Sequence, residues 1–136
     1  MLPTNYDYGK LKILIVEDDK HARTVIRSLL RQIGVRIVME ATNGRDGLVE
    51  LVRDPPHLVL CDVHMQPVDG REFLKTLRGM KIDRVKDTPV IFLTADASRD
   101  TVLFARGFEI DGYIVKPPSV ASLKARIDAI AETLKL

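Results

Sequence analysis

A chain of 136 residues is one ordinary domain, and 46% apolar with 29% charged residues is the mix of a soluble globular fold, which excludes a disordered chain. Lys and Arg total 21 against 19 Asp and Glu, and the resulting +2 is scattered, with no helix-turn-helix, finger or aromatic RNA-binding motif, so nucleic acid is not an expected partner. A single cysteine excludes an internal disulfide, no apolar run nears the roughly 20 residues that span a bilayer, and Met1 to Lys10 lacks the apolar stretch of a signal peptide; no membrane and a cytoplasmic location are expected.

Residues 1–10 read as a tail and residues 11–136 as the domain. The first apolar run, Leu11–Val16, has the unalternating Leu/Ile/Val character of a strand buried on both faces. Ala22, Val25, Ile26, Leu29, Leu30 and Ile33 then follow the spacing of one helix face, with Arg23, Arg27 and Arg31 on its wet side. Asp19 suits its N-cap and Gly34 its C-cap. Val35–Met39, interrupted by Arg36, suggests a second strand. Leu48, Leu51 and Val52 suggest a second helix closed by Asp54-Pro55-Pro56, since proline cannot continue it.

Leu58–Cys61 is the third strand, and Phe73, Leu74 and Leu77 mark a third helix opening near Asp69. Val90–Leu93 is the fourth strand, followed by a weakly patterned helix from Ser98 to about Phe108. Tyr113–Val115 is the fifth strand. Ser119 caps a last helix with Leu123, Ile127, Ile130 and Leu134 on its buried face. Five strand–helix units predict a doubly wound α/β domain, a five-stranded parallel sheet flanked by five helices. The commonest order for such a sheet is the flavodoxin-like 2-1-3-4-5. The chain ends with the fifth helix, so no output domain is expected.

Ligands of such sheets bind beyond the carboxyl ends of the strands. Glu17, Asp18 and Asp19 follow the first strand, Asp62 the third, Thr94 the fourth and Lys116 the fifth. Singly, each is an ordinary cap, turn or solvated residue; together they make a cluster. Glu17, Asp18 and Asp62 bring three negative charges against one from Lys116. Two like charges some 4 Å apart repel by roughly 4 kcal/mol at an effective dielectric near 20, so the cluster calls for a cation. An all-oxygen site with room for water suits magnesium. A carboxylate nucleophile beside that ion, with Lys116 and Thr94 facing the phosphoryl oxygens, is the apparatus of phosphoryl transfer.

The segments ILIVEDD, LVLCDVHM..VDG, PVIFLTA and GYIVKPPS occur in the order and separations of a known family. From Leu11 to Leu134 the chain resembles the receiver domains of two-component response regulators, in particular the stand-alone chemotaxis type. The resemblance implies that Asp62 is the phosphoacceptor and that Glu17, Asp18 and Asp62 hold magnesium with the backbone carbonyl of His64. It implies that Thr94 and Lys116 contact the phosphoryl group and that Lys116–Pro117 is cis. It makes Tyr113 the switch aromatic, turning inward when Thr94 moves. A phosphohistidine of a sensor histidine kinase or phosphotransfer protein is the implied donor. An unknown downstream protein is the implied target, recognised by the face of the fourth helix, fifth strand and fifth helix, with the protein a monomer or a phosphorylation-dependent dimer. Self-catalysed phosphorylation and slow dephosphorylation are the only implied chemistry.

The chain departs from the family pattern in two places. Pro67 is displaced by one position, Met65-Gln66-Pro67, which alters the loop after Asp62. Phe108, Glu109 and Ile110 stand where the family has Ala-Gly-Ala; glutamate is costly at positive φ unless Gly107 takes the cap. Phe104 and Phe108 either pack in the core or form a partner patch. His64 and Asp96, two residues after Asp62 and Thr94, either tune dephosphorylation or are solvated loop residues. Cys61-x-x-His64 has no second pair to complete a zinc site, and His21 and His57 read as surface residues. The competing functions are an aspartyl-phosphate phosphohydrolase on a related scaffold, which would place Asp-x-Asp after the first strand, and flavin binding, which Glu17-Asp18-Asp19 would repel. A degenerate, unphosphorylated receiver is opposed by the complete acidic set.

Overall fold

A computed structural model describes residues 6–134; the first five residues of the expected tail and the last two of the expected domain lie outside the described residues. Five parallel strands, β1 (Lys12–Val16), β2 (Ile37–Ala41), β3 (Leu58–Cys61), β4 (Val90–Thr94) and β5 (Gly112–Val115), form one sheet in the order 2-1-3-4-5. Helices α1 (Lys20–Ile33), α2 (Gly44–Arg53), α3 (Gly70–Arg78), α4 (Asp83–Lys86), α5 (Arg99–Gly107) and α6 (Val120–Leu134) fill the crossovers. The expected five helices are therefore six, because one turn, α4, forms between α3 and β4. Only Val85 of that turn is buried, so no helical periodicity marks it in the sequence. The fourth and fifth expected helices are α5 and α6.

The unalternating strands are explained by a core on each face. Ile13, Ile15, Leu58, Leu60, Ile91 and Leu93 meet Ile26 and Leu30 of α1 and Leu123 and Ile127 of α6. Leu14, Val16, Val59, Cys61 and Phe92 meet Leu51 of α2, Phe73, Leu74 and Leu77 of α3, and Ala105 of α5. Fully burying each of the Val, Leu, Ile and Phe side chains among these contributes about 1.5–3 kcal/mol.

The second strand begins two residues later than expected. Val35 is buried in the turn leading to it rather than in the ladder, and β2 pairs with β1 from Lys12↔Ile37 to Val16↔Ala41. Leu134 does not reach the core and is 38% exposed; the buried face of α6 stops at Ile130 and Ala131. The caps fall where expected. Asp19 accepts from the Ala22 amide at 2.8 Å, and Ser119 accepts from Ser122 at 3.0 Å. Gly34 ends α1 at φ 118°, a conformation that disfavours any residue with a Cβ. Tyr8, in a short 3-10 turn over Tyr8–Lys10, packs against Gly34 and donates its hydroxyl to Asp128 of α6.

At the amino-terminal edge of β4, Arg78 is 11% exposed and donates to the carbonyls of Phe108, Lys86, Thr88 and Glu109 and to the carboxylate of Asp111, at 2.7–3.0 Å. Glu109 itself takes φ 57°, while Gly107 is not at positive φ. The costly option therefore occurs: glutamate occupies the left-handed position, and Arg78 holds its carbonyl there. Burial raises the Asp111 carboxyl above its ordinary range, against the lowering pull of the Val90 amide and Arg78.

Candidate functional site

The ladder bonds of the sheet continue one residue past the strands and so fix the backbone of the site. The Glu17 amide donates to Ala41, the Asp62 amide to Val16 and the Lys116 amide to Thr94, each at 2.9–3.0 Å. Three strands thereby deliver their next side chains to one place. Thr94 is the last residue of β4 rather than the first after it, and it is 1% exposed.

Glu17, Asp18 and Asp62 each present a carboxylate oxygen within 4.8 Å of the others. The Lys116 ammonium lies 2.6 Å from Glu17 Oε1 and 3.3 Å from Asp62 Oδ2. Asp62 Oδ1 accepts from the Val63 amide at 2.7 Å, and Glu17 Oε2 accepts from the Asp19 amide at 3.2 Å. Burial pushes the Glu17 carboxyl above its usual range, and the charge of Asp62 adds to this. Lys116 and the Asp19 amide pull the other way without cancelling it. Burial also works against the charge on Lys116, but its bond to Glu17 and the fields of Asp62 and Glu17 outweigh that, and its pKa rises. Lys116 is therefore a firm ammonium that leaves the three acids undercompensated. Hard carboxylate oxygens at this spacing fit a small oxygen-seeking dication.

The loop after Asp62 is held close. A Cβ on Gly70 would lie 2.2 Å from the Asp62 carbonyl oxygen, so only glycine lets α3 start here. The shifted proline is accommodated by a cis Gln66–Pro67 bond, with Val68 at φ 65°. The Lys116–Pro117 bond is cis, as the resemblance implies. Asp18, His64, Met65, Gln66 and Asp69 line an open cavity of about 270 Å³ beside the acids.

His64 and Asp96 meet: His64 Nε2 lies 2.8 Å from Asp96 Oδ2, which joins the loop after β3 to the loop after β4. Asp96 also accepts from the Ser98 amide at 2.9 Å and the Thr101 hydroxyl at 2.9 Å, and its own amide donates to Thr94 Oγ1 at 3.2 Å. These donors, the Ser98 amide foremost, hold its carboxyl far below the ordinary carboxylate range. The Tyr113 hydroxyl donates to the Asp96 carbonyl, and its ring stands edge-on to Phe92 with centroids 5.9 Å apart. One residue thus contacts Thr94, His64 and Tyr113.

Arg23 is a site residue that the sequence reading placed on a wet face. It is half-buried, donates to the carbonyls of Glu17 at 2.8 Å and Asp18 at 3.2 Å, and pairs with Glu40 at 3.2 Å. Its position one turn after Asp19 is the only sequence hint. His57 is likewise not a plain surface residue, since its Nδ1 accepts from the Lys12 amide at 2.9 Å; His21 is exposed. Cys61 is fully buried and its thiol is raised well above its ordinary value by burial, so it is no nucleophile. Phe104 and Phe108 are half-buried with centroids 4.8 Å apart. Phe108 packs on the core, and the Arg71 guanidinium covers Phe104 at 4.4 Å.

A doubly wound sheet with an acidic cluster, an ammonium and a hydroxyl at its carboxyl edge defines a class of phosphate-handling α/β proteins. Residues 13–128 match the response regulator receiver domain, and the chain belongs to that family. It is 36% identical over 124 residues to chemotaxis protein CheY-3 of Vibrio cholerae, covering 91% of this chain and 94% of that one. It is 34% identical over 122 residues to chemotaxis protein CheY of Pseudomonas aeruginosa, covering 90% and 97%. Among solved structures, a response regulator of Chloroflexus aurantiacus superposes with a TM-score of 0.81 at 25% identity over 90% of this chain and 98% of that one. The CheY4 chemotaxis protein of Vibrio cholerae gives 0.79 at 26% identity over 88% and 98%. The chain is a signalling domain of phosphorelay systems. Among the described residues no helix is long and apolar enough to cross a membrane.

Proposed function

We propose that Asp62 accepts a phosphoryl group from a phosphohistidine of a sensor histidine kinase or phosphotransfer protein. A carboxylate oxygen of Asp62 bonds to phosphorus as the phosphorus–nitrogen bond to the donor imidazole breaks; the bonding pair stays on that nitrogen of a ring protonated at its other nitrogen, leaving an acyl phosphate on Asp62 and neutral histidine on the donor. The observation that carries this reading is the Lys116 ammonium, 2.6 Å from Glu17 and 3.3 Å from Asp62. It lies where charge builds on a phosphoryl group held by Asp62.

Magnesium would be held by Glu17, Asp18 and Asp62 with the backbone carbonyl of His64, and when bound it supplies neutralising charge to the phosphoryl oxygens. The Thr94 hydroxyl is the donor for one phosphoryl oxygen. Its reorientation changes the support of Asp96, and through the Asp96 carbonyl that of Tyr113, so the face of α5, β5 and α6 changes between two packings. That face then controls binding of a downstream protein, with the chain a monomer or a phosphorylation-dependent dimer in the cytoplasm and with neither nucleic acid nor membrane as partner. An apolar groove of about 360 Å³ lined by His21, Ala22, Val25, Ile26, Lys116, Pro117 and Pro118 lies beside the site and suits the docking of the donor protein. His64 and Asp96 flank the approach of the hydrolytic water and set the lifetime of the phospho-form. The phosphohydrolase reading is disfavoured because the candidate nucleophile follows β3, not β1.

Incubation with acetyl phosphate, or with beryllofluoride, tests the reading. An adduct is expected that EDTA abolishes and that Asp62→Asn lacks; an adduct equally abundant in Asp62→Asn would overturn the assignment.

A further inference from the structure

The edge strand β2 has a partner on one side only, β1, and among the described residues no strand pairs with its outer edge. Its two faces differ. Toward α1, Val38 sits on the core and Glu40 is paired to Arg23 and Arg27. Toward α2, Ile37 is 42% exposed, and Val49 and Val52 of α2 are 59% and 43% exposed. On the α1 side a cavity of about 280 Å³ is lined by Arg27, Arg31, Val35, Arg36 and Val38. Glu40 occupies Arg27, whereas the side chains of Arg31 and Arg36 have no ion-pair or hydrogen-bond partner among the described residues. The acids on the opposite side, Asp46 and Glu50, are paired to Arg45 and Arg53. The uncompensated charge along this edge is therefore positive, and it lies on one face only.

We propose that β2 is a docking edge for an extended segment of a partner protein whose acidic side chains alternate with apolar ones. An exposed strand edge offers unpaired N–H and C=O groups in register for one more strand. Successive side chains of an added strand point to opposite faces. Every second one then meets Arg31 and Arg36, while the others cover Ile37, Val49 and Val52. Acidic side chains satisfy the first face and apolar ones the second. This edge lies on the far side of β1 from β4 and β5, so the proposal does not depend on phosphorylation of Asp62.

The test uses the whole chain, labelled with ¹⁵N, and the synthetic peptide acetyl-Glu-Val-Glu-Val-Glu-Val-amide, with a Lys-for-Glu peptide as control. Saturable shifts are expected at the amides of residues 36–41, with binding at least about tenfold weaker for the Lys peptide and for the Arg31→Glu, Arg36→Glu double variant. Both arginines are exposed, so the double variant should melt as the parent does, and a thermal scan verifies this. Shifts confined to other elements, equal binding of the two peptides, or unchanged affinity in the variant would overturn the proposal. So would concentration-dependent shifts of β2 without peptide, since they would assign the edge to a second copy.

Discussion

Lys116 touches Glu17 at 2.6 Å and Asp62 at 3.3 Å, so one ammonium spans a candidate metal ligand and the candidate phosphoacceptor, 99 and 54 residues away. The same charge has opposite effects on two ligands. It repels a dication at the acidic cluster and attracts a phosphoryl group on Asp62. Lys116→Met should therefore tighten magnesium severalfold, by removing a net repulsion of about 1 kcal/mol after screening by solvent and the acids. It should also slow acetyl-phosphate labelling by about a hundredfold. Isothermal titration and a timed labelling assay measure the two effects, and a change in the same direction for both would contradict the proposed geometry.

Gly70 supports Asp62 through the backbone. A methyl group placed there would lie 2.2 Å from the Asp62 carbonyl and 2.8 Å from Val63 Cα, and neither is the end of a flexible side chain. Gly70→Ala should cost about 1–3 kcal/mol in urea unfolding and also lower the labelling rate, because relief requires moving the proposed phosphoacceptor.

The His64–Asp96 contact predicts coupled effects on the phospho-form. His64→Ala and Asp96→Ala should each change its lifetime by more than about twofold, and the double variant should resemble the stronger single one, since both remove one contact. Following release of phosphate after removal of the donor measures this. Lifetimes within twofold of the parent would leave both residues as solvated loop positions.

Acid sensitivity follows from Asp96. Its pKa is depressed in the fold, chiefly by the Ser98 amide and then by the Ser98 and Thr101 hydroxyls. The stability it contributes is therefore complete above the unfolded value of about 3.9 and is lost as pH falls through the lower folded value. Asp96→Asn should be less stable than the parent at neutral pH, and the two stability curves should converge as pH drops below about 4, as read by denaturant midpoints.

Glu109 occupies φ 57°, and the nearby Arg78 bonds its carbonyl rather than its side chain. A left-handed conformation costs a residue with a Cβ about 1–2 kcal/mol, and glycine returns part of that as lost chain entropy. Glu109→Gly should stabilise the protein by about 0.5–1 kcal/mol in thermal or urea unfolding without altering labelling of Asp62.

Much of this protein follows from local pattern. Runs such as Leu58–Cys61 and Val90–Leu93 are strands because only a doubly covered parallel sheet wants unbroken apolar residues, and whatever follows such a run is carried to the sheet's carboxyl edge. Glu17, Asp62, Thr94 and Lys116 were legible for that reason, as were the caps Asp19, Gly34 and Ser119. What tertiary structure alone decided depends on the reach of side chains across crossovers. The guanidinium of Arg23 turns back onto the acidic loop, Arg78 gathers the ends of three elements, and Asp96 meets His64 across 32 residues. Leu134 keeps a helical spacing yet has no sheet beneath it. Periodicity assigns a residue to a face; which partners that face finds is set by how neighbouring elements cross.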